Sequence, residues 1–263
     1  FLANASYVKN EIKNLGNQTG YIDKESLPTL GTVSRNENGY PIGYFFGYKA
    51  IGVFQTQEEI DSYISPATGK PIQPNAAPGD TKFEDLNGDG VISDDNEDRT
   101  MIGKPNPDWM VGLTVAADWN GFDLSAFFQG SFGADVFDAL RRYELAAVNY
   151  TSDALERWTG PGTSNSMPRI VLGDTPKNFR PSTLLVHDAS FLRLRNLQVG
   201  YTLPAQLTRK AYIQRLRFYA SFDNLLTITG YKGMDPEIGS TMGIDKGVYP
   251  QARVYTFGLN LTF

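Results

Sequence analysis

The sequence predicts an all-β protein, an antiparallel barrel segment of about seven strands that crosses a membrane. Three observations predict it. Long stretches alternate apolar side chains with small or polar ones, aromatics reach 13% beside 26 glycines, and tight turns alternate with very long connections. Period-two alternation places one set of side chains on each face of a sheet. A strand that meets lipid outside and water inside needs that division, which hydropathy along the chain barely registers.

The last stretch is the clearest case. From Arg253 to Phe263, Tyr255, Phe257, Leu259, Leu261 and Phe263 share one face, and Thr256, Gly258, Asn260 and Thr262 share the other. A soluble domain seldom ends on so apolar a strand, so this ending points to an outer membrane. Trp109, Val111, Leu113, Val115, Ala117 and Trp119 alternate with Met110, Gly112, Thr114, Ala116 and Asp118. Asn120-Gly121 is a type I′ turn signal. The return strand carries Phe122, Leu124, Ala126, Phe128 and Phe132 on one face, and Asp123, Ser125, Phe127, Gln129 and Ser131 on the other. Taken alone, this hairpin equally fits a soluble sandwich, because alternation says only that one face is buried.

Phe191 to Leu203 changes phase: Leu192 and Leu194 hold one, and Leu197, Val199 and Tyr201 the other. One extra residue near Arg195-Asn196, a β-bulge, restores a common face. Leu216, Phe218, Ala220 and Phe222 oppose Arg215, Arg217, Tyr219, Ser221 and Asp223. Ile42 to Phe54, rich in Tyr, Phe and Gly, is expected to form another long strand, and Ala3 to Val8 reads as the end of one. Helical stretches are expected at Ala134 to Ala146 and Ser152 to Trp158, within a long connection. The Phe54 to Asp108, Gly133 to Ser190 and Thr227 to Ala252 connections are long, whereas Asn120-Gly121 and Pro204 to Ile213 are short. Short turns on one rim and long loops on the other are the asymmetry of outer-membrane barrels.

Composition narrows the function classes. With 263 residues and 41% hydrophobic content the chain is not disordered, and a net charge of -5 without a basic run argues against nucleic acid as a partner. No apolar stretch approaches the ~18 residues of a transmembrane helix. With no cysteine there is neither a disulfide framework nor a thiolate site. The chain opens at Phe1 without an initiator methionine or a signal peptide, which leads to the expectation of a fragment or processed chain.

The stretches Gly43-Tyr-Phe-Phe-Gly-Tyr-Lys49, Asp85-Leu-Asn-Gly-Asp-Gly90, Asp98-Arg99, Ile102-Gly103 and Pro105-Asn-Pro-Asp-Trp109 follow one another along the chain. After them come Ser190-Phe-Leu-Arg-Leu-Arg-Asn196, Gly200-Tyr-Thr-Leu-Pro204, Asp223-Asn-Leu225, Thr229-Gly-Tyr231, Asp235-Pro-Glu237 and Tyr249-Pro-Gln-Ala-Arg253. From about Gly39 onward this ordered set resembles the C-terminal part of SusC/RagA-like TonB-dependent transporters. The resemblance implies that residues 1–263 form the C-terminal third or quarter of a barrel of about 22 strands, integral to a Bacteroidota-like outer membrane. The plug and TonB box would precede them. The implied function is import of large nutrients, oligosaccharides or peptides, with a SusD-like surface lipoprotein as lid. The implied partners are the remainder of the barrel and its plug, that lipoprotein, the TonB complex and outer-membrane lipid. Open sheet edges are not viable in lipid, so such a segment needs the rest of its barrel.

On this reading Asp123, Gln129, Arg215, Arg217, Tyr219 and Asp223 face inward and are candidates to line the substrate path. The alternative for each is a structural lumen network without ligand contact. Asp85, Asn87 and Asp89 with Gly90, the carbonyl of Val91 and the hydroxyl of Ser93 have the spacing of a Ca2+ loop. Position 12 is Asn96 where a bidentate glutamate belongs, so a neighbour such as Asp95 would supply the missing carboxylate. The alternative is a solvated acidic turn.

Catalysis is not expected. Carboxylates adjacent in one loop do not flank a sugar, and the single histidine, His187, reads as a loop or rim residue. Trp109, Trp119, Tyr201, Tyr231, Tyr249 and Tyr255 are expected at headgroup level. Trp158 and Arg169 are expected to fold their connection on itself, or to make an extracellular contact. Two further readings stay open: a secreted calcium-containing β-sandwich that binds carbohydrate, and a surface glycoside hydrolase domain.

Overall fold

The structure, a computed structural model, describes residues 1–28, 30–94, 97–141, 149–238 and 242–263. Its main feature is a six-stranded antiparallel sheet of β1 (Leu2–Tyr7), β2 (Trp109–Trp119), β3 (Phe122–Phe132), β4 (Phe191–Thr202), β5 (Arg215–Thr229) and β6 (Val254–Thr262). The strands neighbour one another in chain order, which is the up-and-down meander of a barrel wall. The sheet does not close, so β1 and β6 each leave an edge without a partner among the described residues.

Register bears out the division of faces. Trp109 pairs with Phe132, Leu113 with Phe128, Ala117 with Leu124 and Trp119 with Phe122, so the apolar sets of β2 and β3 lie on one side. The opposite row joins Asn4, Gly112 and Gln129 across β1, β2 and β3. Asn120 and Gly121 close the hairpin at φ 47° and 88°, the type I′ geometry that matches strand twist. The phase change in β4 is a bulge: Phe127 pairs with Asn196 and Phe128 with Leu194, leaving Arg195 as the extra residue. β5 compensates with Asn224 and Leu225 opposite Arg195, Asn224 taking φ 52°.

The apolar face of this sheet is exposed: Leu124 keeps 40% of its surface and Phe257 75%. No second sheet covers it among the described residues, which removes the sandwich reading. The buried core lies instead in the connections. Leu27, Val33, Phe45, Phe137, Leu185 and Ile244 form its main cluster. They come from a four-stranded sheet (Tyr21–Asp23, Ser34–Glu37, Tyr44–Tyr48, Arg99–Gly103), a three-stranded one (Val186–Asp188, Asp135–Asp138, Ile244–Asp245) and their links.

Two expectations are corrected here. Ile42 to Phe54 is not one wall strand. It forms Tyr44–Tyr48 and Ala50–Val53 in two separate sheets of the loop body, and the wall is left with six strands. All five residues Tyr44–Tyr48 are buried, so the segment serves two packed faces instead of lipid on one and water on the other. Within Ala134 to Ala146, Asp135–Asp138 is a strand, antiparallel to Val186–Asp188 and parallel to Ile244–Asp245. Val136 and Phe137 bury themselves by pairing with distant strands, an outcome that local helix propensity does not anticipate. Residues 142–146 of that expected helix lie outside the described residues. Ser152–Glu156 is helical, as a 3-10 turn. No helix among the described residues is long and apolar enough to cross a membrane.

Candidate functional site: the polar face of the wall

Three tiers of polar side chains line the inner face. Nearest the short turns, Arg217 grips Asp123 through Nε to Oδ1 at 2.8 Å, and its Nη2 donates to Gln198 Oε1 at 3.3 Å. The Arg217 guanidinium lies 5.2 Å from the centre of the Tyr219 ring. Gly258 opposite leaves room for that ring, since a Cβ there would stand 2.5 Å from it. In the middle tier, Asn196 Nδ2 donates to Asp223 Oδ1 at 2.6 Å and to Ser221 Oγ at 3.0 Å.

The third tier lies toward the long connections and is built on the bulge. Arg195 Nε donates to Gln129 Oε1 at 2.7 Å, and Nη1 to Asn224 Oδ1 at 3.2 Å. Its Nη2 lies 2.6 Å from both Glu237 oxygens. Arg193, 2% exposed, reaches Asp235 Oδ1 at 2.5 Å, Glu237 Oε2 at 3.0 Å and Thr227 Oγ1 at 2.9 Å. Burial pushes the Asp235 carboxyl up, but the N–H groups of Gln251 and Glu237 and the Arg193 guanidinium outweigh it and hold it below the usual carboxylate range. Asn224 Nδ2 donates to Ala252 O at 3.0 Å. The tier therefore fastens the Asp235-Pro236-Glu237 connection to the wall.

Of the six inward-facing candidates, the structure joins Asp123, Arg217 and Tyr219 in one tier, Asp223 in the next and Gln129 in the third. Arg215 stands apart at the start of β5 opposite Thr262. Sequence reading missed Arg193, Arg195, Asn224, Asp235 and Glu237. Their signal was present: two arginines two residues apart beside a phase break, where charges share a face with no apolar partner.

The acidic loop wraps around Asp85, whose Oδ1 accepts from Gly88 N at 2.8 Å and Oδ2 from Gly90 N at 2.9 Å. Asn87 Oδ1 accepts from Asp89 N at 3.0 Å, and Asp89 Oδ1 from Val91 N at 2.8 Å. Asp98, fully buried, accepts from Leu86 N and Ser93 N. Asp95 lies outside the described residues, and among those described no three His, Cys, Asp or Glu side chains converge on one point.

In the loop body, Arg169 binds Asp80 at 2.6 Å, and Trp158 Nε1 donates to Gln55 Oε1 at 3.2 Å, so both residues fold the connections onto each other. Tyr231 is a correction: it is buried, its hydroxyl donates to Asp245 at 2.7 Å, and it cannot sit at headgroup level. His187 lies in the strand Val186–Asp188, 3.9 Å from Asp138. Burial lowers its pKa, Arg141 adds to that, and Asp138 opposes it.

No family model matches the chain. The TonB-dependent receptor P3 of Formosa agariphila is 34% identical over 236 residues, which are 86% of this chain and 22% of that protein. The TonB-dependent receptor SusC of Bacteroides thetaiotaomicron is 30% identical over 263 residues, covering 99% of this chain and 24% of that protein. Among solved structures, one of the RagAB peptide transporter matches with a TM-score of 0.74 and 28% identity, over 99% of this chain and 26% of the other. The open-open state of the RagAB peptide importer matches with a TM-score of 0.71 and 27% identity over 99% of this chain. The chain thus spans about a quarter of the length of these relatives, whose names are those of receptors and transporters, not enzymes. By sequence and by fold, the chain is related to SusC/RagA-like TonB-dependent transporters.

Proposed function

We propose that this chain supplies the C-terminal quarter of an outer-membrane barrel that imports large nutrients, oligosaccharides or peptides, powered by TonB through a plug. A SusD-like lipoprotein is the proposed extracellular lid. The observation that carries the proposal is the six-stranded meander with an exposed apolar face, a polar face of paired charges and a separately cored loop body on the long-connection rim. Such a sheet is stable only with lipid on one side and water on the other. The solved relatives are named as peptide importers, which supports peptides as one cargo class. Asp123, Gln129, Arg215, Arg217, Tyr219 and Asp223 are the proposed lumenal contacts, Tyr219 and Arg217 offering a planar face to a sugar ring or peptide bond.

The test is gel analysis of the native protein from membranes, heated and unheated, with detergent exchange. The expected result is a heat-modifiable, detergent-dependent species that carries a lipoprotein. A soluble, detergent-free monomer would overturn the proposal. The Asp85–Asn96 loop is proposed to take Ca2+ through Asp85, Asn87, Asp89, the Val91 carbonyl and Asp95. Calcium addition then slows amide exchange of residues 85–94, and Asp85→Asn removes the effect.

A further inference from the structure

We infer that the loop body carries an anion-binding cleft for a sulfate or carboxylate group, formed by Lys177 and Arg180 beside the Tyr48 ring, with Arg99 bound to backbone carbonyls in its wall, and masked in this structure by Asp94. The cleft encloses about 530 Å³, the size of a small-molecule site. Arg99 and Arg180 lie against the Tyr48 ring with guanidinium carbons 5.7 and 4.8 Å from its centre, and Arg180 is also 4.9 Å from the Phe83 ring. Guanidinium planes beside aromatic faces keep their charge and orientation fixed.

The cleft is built from two connections that hold each other rigidly. Tyr48 N donates to Pro181 O at 2.8 Å, and Asn178 links Thr81 N (2.8 Å) to Asp80 (3.0 Å). Asp174 also lines the cleft but spends its carboxylate on the N–H groups of Asn178 and Phe179 at 2.8 and 2.9 Å. Among the described residues, Asp94 is the carboxylate that faces both Lys177 and Arg180. It is paired with Lys177, and its Oδ1 is 3.7 Å from Arg180 Nη1. This Nη1 is buried and has no hydrogen-bond partner among the described residues, although a buried guanidinium nitrogen ordinarily has one.

Asp94 is 66% exposed and too distant to complete that bond, so it acts as a replaceable counter-ion. A tetrahedral or planar oxyanion seated between Lys177 and Arg180 satisfies Nη1 and displaces the aspartate into solvent, where it costs little to leave. The assignment deepens the importer reading by making anionic glycans or acidic peptides favoured cargo, but anion binding itself does not depend on transport.

The test is calorimetric titration of the detergent-solubilised full-length transporter with inorganic sulfate at constant ionic strength held by chloride. Asp94→Asn is expected to bind sulfate three- to tenfold more tightly than wild type. Lys177→Gln, a change at a half-exposed side chain, is expected to weaken binding at least fivefold, and Arg180→Gln to abolish it. Glucose 6-sulfate, glucuronate and glucose form a second series that separates sulfate from carboxylate recognition. Glucose is expected not to compete with sulfate. Absence of saturable sulfate binding in Asp94→Asn, or unchanged binding in Lys177→Gln, overturns the cleft. A soluble protein without transport would overturn the importer reading and leave this measurement standing.

Discussion

At the scale of single residues, buried charges decide where the long connections settle. Arg193 is enclosed between wall and connection and is neutralised by two carboxylates, an arrangement in which removal of one partner strands an uncompensated charge and costs about 3–5 kcal/mol. Arg195 completes the arrangement with four acceptor contacts in a planar fork, which lysine cannot reproduce. His187 gives a pH prediction. Its folded pKa is lowered, so the folded state binds a proton less readily than the unfolded chain. The stability it contributes is complete above the ordinary histidine value of about 6.5 and is lost as pH falls from there toward the folded value. The protection factors of the amides at residues 186–188, exchange corrected for its intrinsic pH dependence, should therefore fall from pH 7.5 to 5.5, and His187→Gln should flatten that profile. Equal profiles in the two proteins would contradict this account.

At the scale of elements, one inserted residue sets the faces of a whole strand. The Arg195 bulge lets Leu192 and Leu194 share the lipid side with Leu197 and Val199, while Arg193 and Asn196 point inward. The adjacent pair Leu124 and Ser125 on β3 tests the faces directly. Leu124→Arg places a charge on the apolar side, at a cost that falls from about 2–4 kcal/mol at the bilayer midplane to about 0–1 kcal/mol at the interface. Ser125→Arg places the same charge on the polar side, where Asn196, Gln198 and Asp123 surround the row. Membrane-inserted, heat-modifiable protein should fall severalfold for the first variant and hold for the second. The reverse order would mean that the faces are assigned the wrong way round.

At the scale of the whole molecule, two kinds of core coexist. The wall has an apolar belt that only lipid covers, and the loop body has a conventional interior around Phe45 and Phe137, both fully buried with rings 5.9 Å apart. Phe45→Ala should cost about 3–5 kcal/mol in the loop body. Because few wall residues share that core, the variant should raise protease sensitivity of the connections and leave the heat-modifiable gel shift of the barrel unchanged. Loss of both together would show that the two cores fold as one.

Alternation by itself determined the wall: the strand positions, the two faces, the Asn120-Gly121 turn and the bulge all follow from a pleat of period two, a property each strand carries in its own residues. The polarity of Asp123, Gln129, Arg217 and Asp223 was legible for the same reason. The tertiary structure decided everything that depends on segments far apart in the chain. Tyr44–Tyr48 left the wall for the loop body, Asp135–Asp138 became a strand by pairing with Ile244–Asp245, and Glu237 found Arg193 and Arg195 across a long connection. Such choices are set by which distant groups can bury together and neutralise one another, and no local period encodes them.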